Sequence, residues 1–196
     1  MYRPLHSTKR CELFNTLSKV IWDELSDYYQ QGCDSSEVGI TKYIIREFNR
    51  FSSSIIRNFQ LYAKPGHLEA VYGSDIDVFL GIGGGRYIWF ALQAKLLKSN
   101  GRYTTMKDGY STTNLSYQWE KLTLLEAASA GCKSYYLFYN GVIGGFKYSG
   151  IDHCNQSFGE KDFGCSLVET NKIKADMDAR MKGVTYHNPT FKDYHP

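Results

Sequence analysis

Four polar side chains interrupt two apolar runs in the middle of the chain. Asp75 and Asp77 lie at the start of the first run, and Gln93 and Lys95 lie at the end of the second. Residues two apart in a strand share a face, so each pair projects to one side. Charged groups on an apolar strand are costly unless paired or bound. The cluster therefore indicates either a structural Asp–Lys ion pair or a site that holds a hard cation.

The sequence between the two pairs predicts a β-hairpin that would bring them together. Apolar residues alternate along both runs, and Gly83, Gly84 and Gly85 allow the chain to reverse within a turn over residues 81–86. The alternating apolar positions are Ile76, Val78, Leu80, Ile88, Phe90, Leu92 and Ala94. In an antiparallel hairpin the start of the first strand lies beside the end of the second, so two carboxylates, an amide and an ammonium converge.

Asp75 followed by Gln93-Ala94-Lys95 resembles the Asp…(Glu/Gln)-X-Lys signature of the restriction-endonuclease-like, PD-(D/E)XK, nuclease superfamily. The resemblance is to the Mrr-like branch, which has Gln in place of Glu, and it covers about residues 37–140. It implies an α/β fold with a restriction-endonuclease-like core, in which helices flank a central mixed β-sheet with an antiparallel catalytic hairpin. It also implies an endonuclease that hydrolyses phosphodiester bonds of DNA, or of RNA, with a divalent metal.

The same resemblance assigns roles to the residues of the signature. Asp75 would be the principal ligand of Mg²⁺ or Mn²⁺, the side-chain carbonyl of Gln93 and the backbone carbonyl of Ala94 would add oxygens, and Lys95 would orient the attacking water. Because Gln is neutral, the site has one negative charge fewer than a site with Glu, which favours one tightly bound ion over two. Asp77 either adds a metal ligand or pairs with Lys95.

Three further polar residues are candidates for the site. Glu37 has the N3 spacing of a capping box that begins at Asp34, and by resemblance it also matches an acidic residue on the helix before the catalytic hairpin. Thr41 follows one turn later on the same face. Gln118 lies in the first turns of a helix predicted over residues 114–130, where similar families place a supporting polar residue. Glu69 is interpreted as a surface or outer residue.

Basic residues follow the hairpin with no acidic residue between Arg86 and Lys107. Lys98, Arg102 and Lys107, with Tyr103 interleaved, form a candidate nucleic-acid-binding loop, in which cations contact the phosphate backbone and tyrosine stacks on bases. The alternative is a mobile, solvated loop, and the neighbouring motif favours the first interpretation.

Length and composition favour a single domain. The chain has 196 residues, 42% of them hydrophobic and 15% aromatic, which argues against disorder. We expect an N-terminal helix over 11–31, a core over about 34–140 and a C-terminal extension over 141–196. Within these regions the patterns predict a frayed terminus over 1–9, a helix from 34, strands over 55–63 and 134–140, helical character over 165–181 and irregular chain from 183.

Other features of the composition bound the class of protein. The five cysteines form no C-x-x-C pair, which favours reduced thiols, and His153, Cys154 and Cys165 match no common zinc spacing. A net charge of +3 permits nucleic-acid binding without requiring it. With no run of eighteen apolar residues and no leader, we expect a cytoplasmic protein with no membrane partner.

Two other functions stay open on the sequence alone. The chain is either a catalytically inactive nucleic-acid-binding module on the same fold, or a protein-interaction module whose Asp and Lys residues form a structural ion pair. If it is a nuclease, its small size suggests an effector of a bacterial defence or restriction system. Recognition would then come from a homodimer or a partner subunit.

Overall fold

A five-stranded sheet with helices on both faces makes up the fold. The computed structural model describes residues 6–54, 61–107, 116–141, 159–183 and 185–195. The helices are α1 (His6–Gln30), α2 (Glu37–Ser54), α3 (Glu69–Tyr72), α4 (Gln118–Ala128), α5 (Thr170–Lys182) and α6 (Phe191–Tyr194), with a 3-10 helix at Glu160–Phe163. The strands are β1 (Leu61–Pro65), β2 (Ile76–Gly83), β3 (Arg86–Leu96), β4 (Cys132–Tyr139) and β5 (Cys165–Glu169).

The sheet has mixed pairing and the strand order β1-β2-β3-β4-β5. Strands β3 and β4 are parallel, and the other three pairs are antiparallel. The parallel pair requires a crossover, and α4 lies on the chain between β3 and β4 as such connections require. The prediction of an α/β fold with a mixed sheet and an antiparallel hairpin is therefore confirmed.

The β2–β3 hairpin turns where the glycines predict it. Gly83, Gly84 and Gly85 all have φ between 61° and 89°, a region that side chains with a Cβ rarely adopt. The pairing of Asp77 with Ala91 sets the register of the two strands. That register places Asp75, just before β2, beside the end of β3.

One face of the sheet packs on α1 and α2. Of the apolar positions that alternate along β2 and β3, all but Ile88 belong to this core or pack against it, as the pattern predicts. Its buried members from the helices and strands are Leu17, Ile21, Leu25, Ile40, Ile44, Phe48, Leu61, Ala63, Ile76, Val78, Leu92, Ala94, Leu96, Leu137 and Tyr139. Burial of these side chains from water is the main force holding the two helices on the sheet.

The other face packs on the C-terminal helices. Helix α4 lies on β4, and α5 lies on β4 and β5. The buried residues of this second core include Trp22, Ala91, Tyr103, Trp119, Leu122, Leu125, Tyr136, Phe138, Ile173, Met177 and Phe191. Because side chains alternate along a strand, Asp75, Asp77, Gln93 and Lys95 all point to this second face.

Several element boundaries differ from the sequence-based predictions. Helix α1 begins at His6 instead of residue 11. Helix α2 begins at Glu37 with Ser36 before it, and the Ser36 hydroxyl accepts a hydrogen bond from the Gly39 N–H at 3.3 Å. Ser36 therefore takes the N-cap role that the sequence suggests for Asp34. Asp34 accepts instead from the Ser99 N–H, at 3.0 Å.

The C-terminal third also differs from its prediction. Residues 165–169 form strand β5 and not the start of a helix, because they complete the sheet against β4. Ile173 and Met177 lie on α5 and are buried, as predicted. The strand predicted over 55–63 corresponds to β1, which begins at Leu61, and residues 55–60 lie outside the described chain. Asn114, Leu115, His153 and Cys154 also lie outside it. Within the described residues, Cys33, Cys132 and Cys165 are free thiols.

No helix in the described ranges combines the length and apolar character needed to cross a membrane.

The last described residues pack into the second core. Instead of being irregular, they form helix α6, and His195 beyond it is buried. The His195 ring lies against Phe191, with ring centroids 4.5 Å apart, and its Nε2 lies 3.0 Å from the Ser166 hydroxyl. Burial lowers the pKa of His195 to about 4, so this histidine is neutral in the folded protein at neutral pH.

The buried histidine predicts a loss of stability in acid. The unfolded chain binds a proton to His195 near pH 6.5 and the folded chain only near pH 4, so its contribution to stability falls as pH falls through this window. Relative to His195→Phe, we expect the free energy of unfolding of the parent to drop by about 3 kcal/mol across it. Urea unfolding of both proteins at successive pH values measures the difference. A difference that does not vary with pH would contradict the assignment.

Candidate active site

The backbone of Asp75 is held from both sides. Its N–H donates to the Leu92 carbonyl at 2.8 Å, and its carbonyl accepts from the Gly66 N–H at 2.8 Å. Gly66 approaches so closely that a Cβ on it would lie 1.8 Å from the Ser74 carbonyl oxygen. The bend after β1 therefore needs glycine at this position, and it fixes where the Asp75 side chain leaves the backbone.

The Asp75 side chain meets Gln93 across the hairpin. One oxygen, Oδ2, accepts from the Ala94 backbone N–H at 2.8 Å and from the Gln93 side-chain amide. The same Gln93 Nε2 lies 3.3 Å from the Ala94 carbonyl oxygen. The structure thus brings together the acid, the amide and the backbone of the Gln93-Ala94-Lys95 segment, in the arrangement that the hairpin predicts.

Burial leaves the Asp75 carboxylate short of compensating charge. Desolvation raises the pKa of Asp75 to about 7, from an ordinary value of 3.8. The Lys95 ammonium and the Ala94 N–H lower this pKa, while the negative charges of Glu69 and Glu37 raise it further. The carboxylate is therefore only partly ionised at neutral pH, and an added cation would favour its charged form.

Lys95 is almost completely buried beside this acid. Only 1% of the residue is exposed, although long cationic side chains usually keep their ammonium in water. It follows Gln93 on the same face of β3 and lies opposite Phe138 of β4. A lysine in this position brings a positive charge into the interior, where it acts on Asp75 at a low effective dielectric constant.

Three buried polar atoms around the cluster have no hydrogen-bond partner. They are Oε1 of Gln93, Oε1 of Gln118 and the hydroxyl of Tyr136. Tyr136 lies opposite Gln93 in the β3–β4 register, and the charge of Asp75 adds to burial in raising the pKa of this phenol. Unpaired buried polar groups cost stability, so the pair at Gln93 and Tyr136, which lie opposite each other in the register, indicates a site that is completed by a ligand or by water.

Tyr136 is a candidate that sequence reasoning missed. The run around it reads as a buried, aromatic strand, and nothing in that pattern separates a packing tyrosine from one that lies beside a polar cluster. The available signal is its place in the strand, since a parallel partner of β3 must bring a side chain opposite Gln93. That signal depends on the register, which a single sequence does not provide.

Gln118 lies where the prediction puts it, at the start of α4. It is buried, and its backbone carbonyl comes within 2.9 Å of the place where a Cβ on Gly73 would stand. Gly73, with φ of 74°, therefore lets the first turn of α4 approach the segment that leads into Asp75. Gly73 precedes Asp75 by two residues, so this contact brings the backbone of Gln118 near the segment that carries Asp75.

Glu37 and Thr41 lie beside the end of β3 and β4. The Glu37 carboxylate accepts from the Leu96 N–H at 2.9 Å, directly after Lys95, so it belongs to the surroundings of the site and not to a capping box. The Thr41 hydroxyl lies 2.9 Å from the Tyr139 hydroxyl. Thr41 thus positions a strand residue and makes no contact with Asp75 or Gln93.

Hydrogen bonds from neighbouring residues occupy both oxygens of the Asp77 carboxylate. Its Oδ1 accepts from the Ser74 hydroxyl and the Trp89 indole N–H, both at 3.1 Å, and its Oδ2 accepts from the His67 N–H at 3.0 Å. Its ion pair, at 3.9 Å, is with Lys64 and not with Lys95, so the predicted pairing is wrong. With both oxygens occupied by donors, Asp77 is poorly placed to bind the metal predicted for it.

The predicted nucleic-acid-binding loop is attached to the rest of the protein. Tyr103 is fully buried and donates from its hydroxyl to Asn140 at 2.6 Å, so its ring is not open to a base and the prediction is wrong. Lys98 lies 4.0 Å from Asp34. Arg102 pairs with Thr190 in a β-bridge, so this segment holds the C-terminal residues in place.

The remaining cations of this loop also contact the chain itself. The Arg102 guanidinium donates to the Asn188 carbonyl at 3.2 Å, and the Lys107 ammonium lies 3.4 Å from the centre of the Tyr186 ring. These contacts tie Arg102 and Lys107 to the C-terminal residues, and phosphate binding by Lys98, Arg102 and Lys107 stays a prediction. A run of basic residues cannot show in advance whether its partners lie within the protein.

The donor set at Asp75 fits a single hard cation. The Asp75 carboxylate, with a pKa near 7, has too little positive charge around it, and the Gln93 Oε1 atom has no hydrogen-bond partner. Both are oxygen ligands of the kind that Mg²⁺ prefers. No group of three or more His, Cys, Asp or Glu side chains suited to a metal occurs among the described residues. A cation here would thus depend on one carboxylate, neutral oxygens and the substrate.

The comparisons with known proteins give a family and no activity. No curated protein matches the chain. A family model described as "Family of unknown function (DUF6615)" matches residues 10–196, and this range includes every residue of the candidate site. The chain therefore belongs to this family of unknown function, DUF6615.

Proposed function

We propose that the protein is a divalent-metal-dependent nuclease with a restriction-endonuclease-like core, and that Asp75, Gln93 and Lys95 form its active site. The observation that carries the proposal is the convergence of the Gln93 amide and the Ala94 N–H on one oxygen of the Asp75 carboxylate, next to the buried Lys95. Each of these polar groups is costly in a core, and together they match the chemistry of phosphodiester hydrolysis.

Asp75, Gln93 and the Ala94 carbonyl would hold Mg²⁺ or Mn²⁺. A rotation of the Gln93 side-chain amide that exchanges Nε2 and Oε1 would place a third oxygen beside Asp75 Oδ2 and the Ala94 carbonyl. Three oxygens in one place suit a hard cation. When bound, the ion supplies positive charge that offsets the charge developing on the phosphoryl oxygens.

The protein residues would supply positioning and charge. Hydrolysis joins a water oxygen to phosphorus and breaks one phosphorus–oxygen ester bond. The attacking water loses a proton to the solvent, and the leaving oxygen takes up a proton from the solvent. The Lys95 ammonium would orient the water and stabilise the extra negative charge of the transition state. The buried Tyr136 hydroxyl, which has no hydrogen-bond partner, would donate a hydrogen bond to the phosphate.

The substrate in this proposal is DNA, or RNA, bound in the cytoplasm. An effector role in bacterial defence or restriction, with recognition from a second copy or a partner subunit, stays a prediction. A chain on the same fold that binds nucleic acid or a protein without cutting is the alternative, and the cleavage assay separates the two.

Cleavage by this site should require a divalent ion, Asp75 and Lys95. We expect the purified protein to cut plasmid DNA or single-stranded nucleic acid with Mg²⁺ or Mn²⁺, and not with EDTA. Asp75→Asn and Lys95→Met should each slow cleavage by at least about 100-fold, because each removes a charge that acts on the transition state. Lys133→Met is the matched control, since Lys133 is an exposed lysine on β4 that pairs with Glu126.

The outcomes separate the alternatives. If Asp75→Asn or Lys95→Met cuts as fast as the parent, the assigned chemistry is wrong. If the parent binds nucleic acid but cuts none under any divalent ion, the inactive binding module replaces the nuclease.

The raised pKa of Asp75 makes the stability of the protein depend on pH. Folded Asp75 titrates near pH 7 and unfolded Asp75 near 3.8, so the folded state binds more protons between them and loses stability as pH rises through this window. Without divalent ions above pH 7, Asp75→Asn should raise the free energy of unfolding by about 4 kcal/mol, because it removes a buried charge. Mg²⁺ should stabilise the parent above pH 7 much more than near pH 5, and should not stabilise Asp75→Asn.

Asp77→Asn provides the contrast for that measurement. This substitution replaces a carboxylate that accepts three hydrogen bonds, so it should lower the free energy of unfolding. Mg²⁺ should still stabilise the Asp77→Asn protein. Thermal unfolding of the three proteins, with and without Mg²⁺, tests both statements. A stabilisation that follows Asp77 instead of Asp75 would place the cation elsewhere.

The Tyr136 hydroxyl can be removed without removing the ring. Tyr136→Phe removes a buried hydroxyl that has no partner, so the melting temperature should stay the same or rise. If that hydroxyl donates to the phosphate, kcat should fall on the order of 100-fold. Steady-state cleavage kinetics and thermal unfolding are measured on the same preparation. Unchanged kcat with a raised melting temperature would assign Tyr136 to packing alone.

A further inference from the structure

Three aromatic side chains form a row across strands β1, β2 and β3. Tyr62 lies opposite Phe79, and Phe79 lies opposite Trp89, in the register of the sheet. The ring centroids of Tyr62 and Phe79 are 6.4 Å apart, and those of Phe79 and Trp89 are 6.0 Å apart. The planes differ by only 30° and 18°. We call these three residues the aromatic row.

The aromatic row is apolar surface that the cores use little. Tyr62 is 55% exposed, and Phe79 and Trp89 are half-buried. Of the three, only Trp89 packs against one of the two hydrophobic cores that the described residues form. Helices α4 and α5 cover β4 and β5 on this face, whereas the row lies on the β1–β3 side. Exposed aromatic residues in a row indicate a binding surface.

The aromatic row continues the face of the candidate active site. Asp75, Asp77 and Phe79 follow one another at every second residue, so they project to the same side. Four residues of antiparallel strand separate Asp75 from Phe79, which corresponds to about 14 Å along β2. A ligand that extends from the site along the strand would therefore meet the row within a few nucleotides.

A cation lies within the row, and the nearby acid is shielded. The Lys64 ammonium is 5.5 Å from the centre of the Phe79 ring and 3.9 Å from Asp77, which is buried and accepts three hydrogen bonds. The Lys64 side chain is 36% exposed, so solvent reaches this lysine beside the row. Aromatic rings beside an exposed cation are the combination that binds unpaired nucleotides, with bases on the rings and phosphate on the lysine.

We infer that the aromatic row binds unpaired bases of the strand that the active site cuts, so the substrate is single-stranded nucleic acid or nucleic acid with unpaired nucleotides. The inference rests on the proposed nuclease function and adds the substrate class to it. Bases within a duplex are already stacked on each other and cannot reach the rings without unpairing.

Trp89 provides a direct readout of this binding. The other tryptophans, Trp22 and Trp119, are 2% and 0% exposed, so Trp89 is the tryptophan that a stacked base would quench. In EDTA and at fixed salt, a short single-stranded oligonucleotide, as DNA or RNA, should quench the emission and bind more tightly than a blunt duplex of the same sequence. Trp89→Phe should remove the quenching.

The variants test whether ring stacking holds the ligand. Tyr62→Leu and Phe79→Leu should each weaken single-strand binding about tenfold, since they keep apolar volume and remove the ring. Tyr62→Phe and Phe79→Tyr, which keep the ring, should bind as the parent does. Tyr28→Leu is the matched control, because Tyr28 is an exposed tyrosine on α1. Thermal unfolding shows that each variant is folded at the assay temperature.

The outcomes distinguish this inference from the nuclease proposal. Equal affinity of the leucine variants and the parent, equal affinity for duplex, or no quenching by either nucleic acid would overturn the inference, even if the parent cuts. Quenching that is lost in the leucine variants supports it. If that pattern occurs in a parent that never cuts, the nuclease proposal fails and the nucleotide-binding row stands.

Discussion

The buried carboxylate of Asp75 is the constraint on which the rest of the site depends. Taking a carboxylate out of water is expensive, and the protein offsets this cost only in part, with the Ala94 N–H, the Gln93 amide and the charge of Lys95. Nearby negative charges work in the opposite direction. The site therefore holds an acid whose charged form lacks sufficient positive partners, so an added cation would favour that charged form.

The fold supplies that arrangement through close backbone contacts. Gly66 and Gly73 let β1 and α4 approach the segment that carries Asp75 more closely than residues with a Cβ would allow. The parallel pairing of β3 with β4 then places Tyr136 opposite Gln93. The aromatic row lies on the same face of the sheet, toward the edge strand β1. One sheet face thus has a half that α4 and α5 cover and a half on which the aromatic row lies, with the polar cluster between them.

The hairpin and its polar cluster could be predicted from the sequence because they depend on local rules. A period of two, a glycine turn and the eighteen residues from Asp75 to Gln93 determine which side chains meet. The central mixed sheet followed from a helix between two strands. Asp77 shows the limit of this reasoning, since periodicity gave its face correctly but not its donors, which come from Ser74, His67 and Trp89.

The features that the sequence did not reveal depend on long-range contacts. Tyr103 has the composition of a surface tyrosine in a basic loop, but the Asn140 side chain and the C-terminal residues enclose it. Leu167 and Val168 lie in a strand because β4 offers an unpaired edge, not because of their own pattern. The row of Tyr62, Phe79 and Trp89 needs the register of three strands, and the role of Tyr136 needs a fourth.

The ionisation of Asp75 tests the central claim most directly. Carbon-13 NMR of the labelled side-chain carboxyl, followed as a function of pH with and without Mg²⁺, reports this group alone. The account predicts a pKa of about 7 in EDTA and a clear decrease when Mg²⁺ is present. A pKa near the ordinary value of 3.8 that Mg²⁺ does not change would contradict it.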